Sequence, residues 1–319
     1  MLIEVKHLKS YFFLDEGTLK AVDDVSFVIN EGEAVALVGE SGCGKTIVAL
    51  SLLDLIPSPG RIVEGQILFN GRDLRAMDSE QMRQVRGRHI GLVFQEPGAA
   101  LNPVYTVGSQ IADVLRLHRP LTRHEAQRES VKLLGDVGIA DPEQRAKAYP
   151  FELSGGMQQR ALIATAIAGR PELLIADEPT TALDPTVQAE VLDLLRHLQD
   201  EYDMALLLIT HDIGVVAEMA DRVMVMYTGK IVETADVHTL FGDARHPYTQ
   251  GLLGSAPRLG VGRGEPLRGI PGTVPDFMNL PPGCTFHTRC HLADDGCTTA
   301  FPPVKEIAPG RQCACYKVT

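Results

Sequence analysis

Three short segments hold residues suited to phosphate chemistry. Gly39-Glu40-Ser41-Gly42-Cys43-Gly44-Lys45-Thr46 fits the pattern G-x-x-x-x-G-K-[ST] and follows the apolar residues 34–38. A loop of this kind turns backbone N–H groups inward around phosphates. Its lysine reaches the terminal phosphates and its threonine hydroxyl serves Mg²⁺. Gly39, Ser41, Gly42, Cys43, Gly44, Lys45 and Thr46 are therefore candidates for nucleotide contact. The second segment, Leu173-Leu174-Ile175-Ala176-Asp177-Glu178, places two acids after four apolar residues. A buried strand delivers such carboxylates to its carboxyl end, where ligands bind in open α/β sheets. Asp177 suits a Mg²⁺ partner, and Glu178 suits a general base that polarises an attacking water. The third is Leu153-Ser154-Gly155-Gly156-Met157. There Ser154 caps a helix while Gly155 and Gly156 expose backbone N–H groups, which with the helix dipole makes a second anion site.

Elements able to carry these segments are legible in the apolar pattern. Residues 2–8 and 21–29 read as an antiparallel opening, and residues 46–55 as a helix ended by Pro57, Pro59 and Gly60. Further strands are expected at 67–69, 90–94, 173–176, 205–209 and 223–226. Helical spacing dominates 108–145 and 187–198, with another helix following the serine-glycine segment. Strands alternating with helices imply a mostly parallel sheet covered on both faces. Beyond about Asp236, Pro and Gly become frequent, periodicity fades, and five of the six cysteines appear. A domain boundary is placed there, giving 1–235 and 236–319.

Composition narrows the function classes. Of 319 residues, 45% are hydrophobic and 22% charged, ordinary values for a globular protein. No apolar run approaches the length that spans a bilayer, and the first residues lack a signal-peptide layout, so a cytosolic location is expected. Thirty basic residues against 41 acidic ones give a formal net charge of −11. That balance disfavours nucleic acid as a partner.

The string Leu153 to Arg160, LSGGMQQR, resembles the signature of the ATP-binding-cassette (ABC) ATPases, and the phosphate loop agrees with it. The resemblance implies an ABC-type P-loop ATPase with an α/β core, an antiparallel β subdomain and a helical subdomain near 96–160. It also implies ATP and Mg²⁺ as ligands. By the same resemblance Gln95, after residues 90–94, is the Q-loop glutamine that senses Mg²⁺ and water. His211, just past an apolar strand, matches the switch histidine beside the γ-phosphate. Ala182-Leu183-Asp184 matches the D-loop, and Tyr11 the aromatic platform for adenine, with Phe12 and Phe13 as competitors. Ser154 would then act on the ATP of a second cassette, either a copy or a paralogue. Cys43, beside Lys45 and a helix start, is expected in surroundings that favour thiolate.

Residues 246–253, 270–275 and the cysteine-bearing end resemble the C-terminal extension of oligopeptide and dipeptide importer ATPases, which nickel and some oligosaccharide importers share. Two permease subunits and an extracytoplasmic binding protein would then be partners, with this chain peripheral at the cytoplasmic face of the inner membrane. Clustered cysteines in a cytosolic protein argue for metal over disulfides. Members of that branch bind a 4Fe–4S cluster, and Cys284, Cys290, Cys297 and Cys315 fit its pattern best, with Cys313 a rival for the fourth place. Zinc and unliganded thiols are the other readings. A non-transport ABC ATPase of repair or translation is the rival from another class.

Overall fold

The computed structural model describes residues 1–255 and 269–318. Its strands, among those residues, are β1 (Ile3–Leu14), β2 (Gly17–Ile29), β3 (Ala34–Val38), β4 (Gly60–Phe69), β5 (Arg72–Asp73) and β6 (Ile90–Val93). They continue with β7 (Leu173–Asp177), β8 (Ala205–Thr210), β9 (Arg222–Tyr227), β10 (Lys230–Asp236), β11 (Lys305–Ala308) and β12 (Arg311–Cys313). The chain forms two compact units. One comprises Met1–Leu2, Ile29–Glu33 and Ala76–Ile209; the other comprises Ile3–Val28, Ala34–Arg75 and Thr210–Thr319.

In the first unit β6, β7 and β8 run parallel, with Leu173 beside both Ile90 and Ala205. Every residue of β7 and β8 is buried. That is why their sequences read as unbroken apolar runs instead of alternating ones. The helical stretch expected over 108–145 resolves into Val107–His118, Arg123–Asp136 and the short Pro142–Arg145. Thr122 and Glu125 cap the middle helix reciprocally, which fixes its start.

In the second unit β3 and β9 are parallel, while β10, β12 and β11 extend the sheet antiparallel beyond β9. A separate sheet has the order β2-β1-β4-β5. The first strand does not end at residue 8. A register irregularity between Lys6 and Ser10, with His7 at φ 50°, absorbs a kink, and β1 continues against β4 to Phe12 opposite Gly60.

The cysteine-bearing end is more regular than its composition implies. β12 pairs with β10, placing Glu233 opposite Cys313, and β11 pairs with β12. The described residues after 235 thus lie in the same compact unit as β3, β9 and β10. Tyr248 and Phe286 of that segment are buried in one apolar cluster with Ala36, Val38, Val225 and Tyr227. The rings of Tyr227, Tyr248 and Phe286 pack mutually, with centroids 4.5 to 5.4 Å apart. Such edge and tilted packing adds to plain area burial.

Candidate functional site

In the second unit the loop 39–46 joins β3 to the helix Lys45–Leu52. Gly44 stands just before that helix at φ 108°, and a Cβ there would lie 2.2 Å from the Ala21 carbonyl oxygen. Only glycine permits both the conformation and the approach. Gly39 is buried, whereas Ser41, Gly42 and Thr46 face outward or nearly so. Lys45 is buried and its Nζ donates to the carbonyls of Gly39 at 2.8 Å and Glu40 at 3.1 Å. The ammonium is therefore held at the loop's centre, where anion binding needs it.

Cys43 corrects the expectation of a thiolate. Its side chain is only 1% exposed, and burial raises the thiol above its ordinary value, with the Lys45 ammonium opposing. Desolvation outweighs the nearby positive charge because the Lys45 Nζ stands 3.9 Å away and is already engaged with two carbonyls.

His211 also lies in the second unit, exposed immediately after Thr210. The Thr210 hydroxyl accepts from the Asp212 N–H at 3.0 Å, and Asp212 caps the next helix. Those two flanking anchors fix the backbone that presents the imidazole. On β1, Tyr11 donates to Asp23 Oδ1 at 2.5 Å, and burial followed by that bond raises its phenol. Tyr11 and Phe12 are half-buried and Phe13 is exposed under Arg61, so none of the three is a core residue.

The first unit gathers the acids. Asp177 ends β7 and is buried. Glu178 follows in a left-handed conformation, φ 47°, a strained state of the kind found at working sites. Its Oε2 accepts from Gln95 Nε2 and from the Thr181 hydroxyl, both at 2.9 Å. Gln95 and Glu178, 83 positions apart, are thereby brought together. The only sequence signal for Thr181 is its place three residues after Glu178 on a tight turn.

Ser154 is the N-cap of Gly155–Ile167 and accepts from the Met157 N–H at 3.4 Å. Gly155 faces open space, whereas a Cβ on Gly156 would meet Val187 Cγ1 at 2.7 Å. The exposed helix start is thus supported from behind by the helix Pro185–Tyr202. Asp184 caps that second helix, accepting from the N–H groups of Thr186 and Val187 at 3.1 Å.

The cysteines separate into two groups. Cys284, Cys290, Cys297 and Cys315 line one small cavity together with His246, Phe286 and Tyr316. The Cys284 N–H donates to the Cys297 carbonyl at 2.8 Å, and Gly283 at φ 74° lets the chain approach, since a Cβ would sit 2.3 Å from that same oxygen. Burial pushes the Cys284 thiol up to about 11, with Cys315, Cys297 and Cys290 adding to the rise. Cys313 lies apart on β12, buried opposite Glu233. Among the described residues no set of three or more His, Cys, Asp or Glu is arranged to hold a metal ion. The structure therefore lends no support to zinc or to a cluster as such.

Glu40, Tyr248 and Arg289 fall within segments singled out from the sequence, but the sequence assigns none of them a role. The Glu40 N–H donates to Tyr248 Oη at 2.8 Å, and Arg289 forks onto the Glu40 carboxylate at 2.7 and 3.0 Å. Partners more than 200 positions away leave no local mark.

The family described as "ABC transporter" matches residues 22–181, and "Oligopeptide/dipeptide transporter, C-terminal region" matches residues 232–297. The chain belongs to the ABC transporter family. It is an ATP-binding cassette with ATPase chemistry, for which membership implies ATP with Mg²⁺. The cassette is 51% identical over 317 residues to BMEII0863 of Brucella melitensis, named for peptide import ATP binding, covering 96% of this chain and 94% of that protein. It is 48% identical to the oligopeptide transport ATP-binding protein AppD of Bacillus subtilis, covering 99% and 96%. In three dimensions it is similar to the dimeric, post-hydrolysis cassette MJ0796 bound to ADP and Pi, at TM-score 0.67 and 26% identity over 74% of this chain and 99% of that one. Among the described residues no helix of the cassette is long and apolar enough to cross a membrane.

Proposed function

We propose that this cassette is the ATP-hydrolysing motor of an importer for di- and oligopeptides. The observation carrying this reading is the match of residues 232–297 to the oligopeptide/dipeptide transporter C-terminal region, in a chain that also holds a full set of ATPase motifs. Residues 1–235 act as the nucleotide-binding domain, with 96–160 as its helical subdomain, and 236–319 as the importer-type extension. Lys45, Thr46 and Asp177 serve the phosphates and Mg²⁺, Gln95 positions Glu178, and Glu178 takes the proton of the attacking water. His211 addresses the γ-phosphate and Tyr11 the adenine. Ser154, Gly155, Gly156 and Asp184 work across a dimer with a second cassette. Two permease subunits, fed by an extracytoplasmic binding protein, hold the pair at the cytoplasmic face of the membrane.

Cys284, Cys290, Cys297 and Cys315 would hold a 4Fe–4S cluster, which uses thiolate ligands alone. These four are chosen over Cys313 because they line one cavity and Cys313 lies outside it, although no metal-holding arrangement is formed among the described residues. The cluster would serve to hold the extension together. Iron, sulfide and zinc analysis after anaerobic purification tests it: about four irons and four sulfides per chain are expected, and zinc or bare thiols would refute it.

Transport is tested by reconstituting the chain with its permease and binding protein in proteoliposomes. Peptide-stimulated ATPase activity is the expected result. Stimulation by nickel or oligosaccharide alone would move the cargo, and co-purification with ribosomes or DNA instead of permease would overturn the importer reading.

A further inference from the structure

We propose that Tyr248 and Arg289, in the segment matching the transporter C-terminal region, are positioning residues for the phosphate loop and act on it through Glu40. Glu40 is a junction. Its carbonyl accepts from Lys45 Nζ at 3.1 Å and from the Cys43 N–H at 3.3 Å, so its placement governs where the ammonium sits. Its other two polar groups are held from outside the loop. Tyr248 Oη takes the backbone N–H, and Arg289 takes both carboxylate oxygens.

The holders are rigid. Tyr248 is fully buried and Arg289 is 7% exposed. Tyr248 packs on Tyr227 and Phe286, and the Arg289 guanidinium lies 5.9 Å from the ring centres of both those residues. Arg289 Nε is tied to the Pro271 carbonyl at 2.9 Å. With its stem packed and Nε engaged, the fork has little freedom left to lose when it grips Glu40.

Charge gives the arrangement a purpose beyond packing. A carboxylate in a loop that receives a triphosphate repels its ligand unless neutralised. Arg289 neutralises Glu40, and the bond raises the guanidinium's own affinity for its proton. The extension thereby sets both the shape and the local charge of the phosphate loop, from 208 and 249 positions away.

The test is MgATP affinity of the full chain by titration calorimetry, paired with unfolding measured without nucleotide. Tyr248→Phe keeps the ring and deletes the acceptor; Arg289→Lys keeps the charge and deletes the fork. Each should weaken MgATP about five- to tenfold, the size set by one hydrogen bond. Unchanged affinity in both would overturn the proposal, even with a lowered unfolding midpoint, because the contacts would then only anchor the extension. A cycle of Glu40→Gln, Arg289→Gln and the double variant tests the route. If Arg289 acts through Glu40, the double variant loses no more affinity than Arg289→Gln alone; additive losses would refute that route. Should the Arg289 variants fail to fold, Tyr248→Phe and Glu40→Gln decide the matter by the same criterion.

Discussion

Replacing Glu178 by Gln should abolish turnover while leaving nucleotide binding and folding intact. The two donors on Glu178 Oε2, from Gln95 and Thr181 at 2.9 Å each, determine how the amide must sit. Both partners present hydrogens, so the amide oxygen stays on their side and its NH₂ turns to the position of Oε1. A donor then stands where a proton acceptor is needed. Gln matches Glu in volume and inherits the same φ of 47°, so no new backbone strain arises. Removing a positioned general base costs about 10²- to 10⁴-fold in rate. That is about 3–5 kcal/mol on the barrier. The assay is steady-state phosphate release by the full chain, with MgATP affinity and an unfolding curve measured on the same preparation. Turnover within about tenfold of the parent, at parental affinity and stability, would refute the assignment of Glu178 as the base.

Three further outcomes follow from the packing. Gly44→Ala forces a Cβ to within 2.2 Å of the Ala21 carbonyl at φ 108°, so the unfolding midpoint should fall by more than about 1 kcal/mol equivalent and nucleotide binding should fail; a stable variant with parental affinity would contradict the geometry. Phe286→Ala removes a 3%-exposed ring from the Tyr227–Tyr248 stack and should cost about 3–5 kcal/mol in urea unfolding, with less than about 1 kcal/mol showing the stack to be dispensable. Cys43, with its thiol raised by burial, should be alkylated by iodoacetamide at pH 8 more slowly than a free thiol in the folded protein and rapidly in urea, as read by peptide mass mapping. Fast labelling in the folded state would restore the thiolate expectation.

Much of the candidate site is legible because its pieces are contiguous. A phosphate loop, an acid pair ending a strand and a helix cap beside two glycines each occupy a few successive residues. Local backbone chemistry dictates such patterns, so they survive in one dimension. The parallel strands β7 and β8 are equally readable, since burial on both faces demands unbroken apolar runs. The extension was less readable. β11 and β12 are short, and strand pairing rather than intrinsic propensity holds them.

The sequence by itself determined the family and named the candidates for its chemistry: side chains to meet phosphates and an acid to take a proton, with Cys313 and Cys315 left as rivals for the fourth place among the thiols. Tertiary structure decided what those groups experience. It placed Gln95 and Thr181 on Glu178, and it buried Cys43, which raises the thiol where the sequence led one to expect a lowered one. It also tied Glu40 to Tyr248 and Arg289. Each outcome depends on desolvation or on a partner far along the chain. Those quantities exist only once the chain has folded, because dielectric environment and long-range hydrogen bonding are properties of packing rather than of residue order.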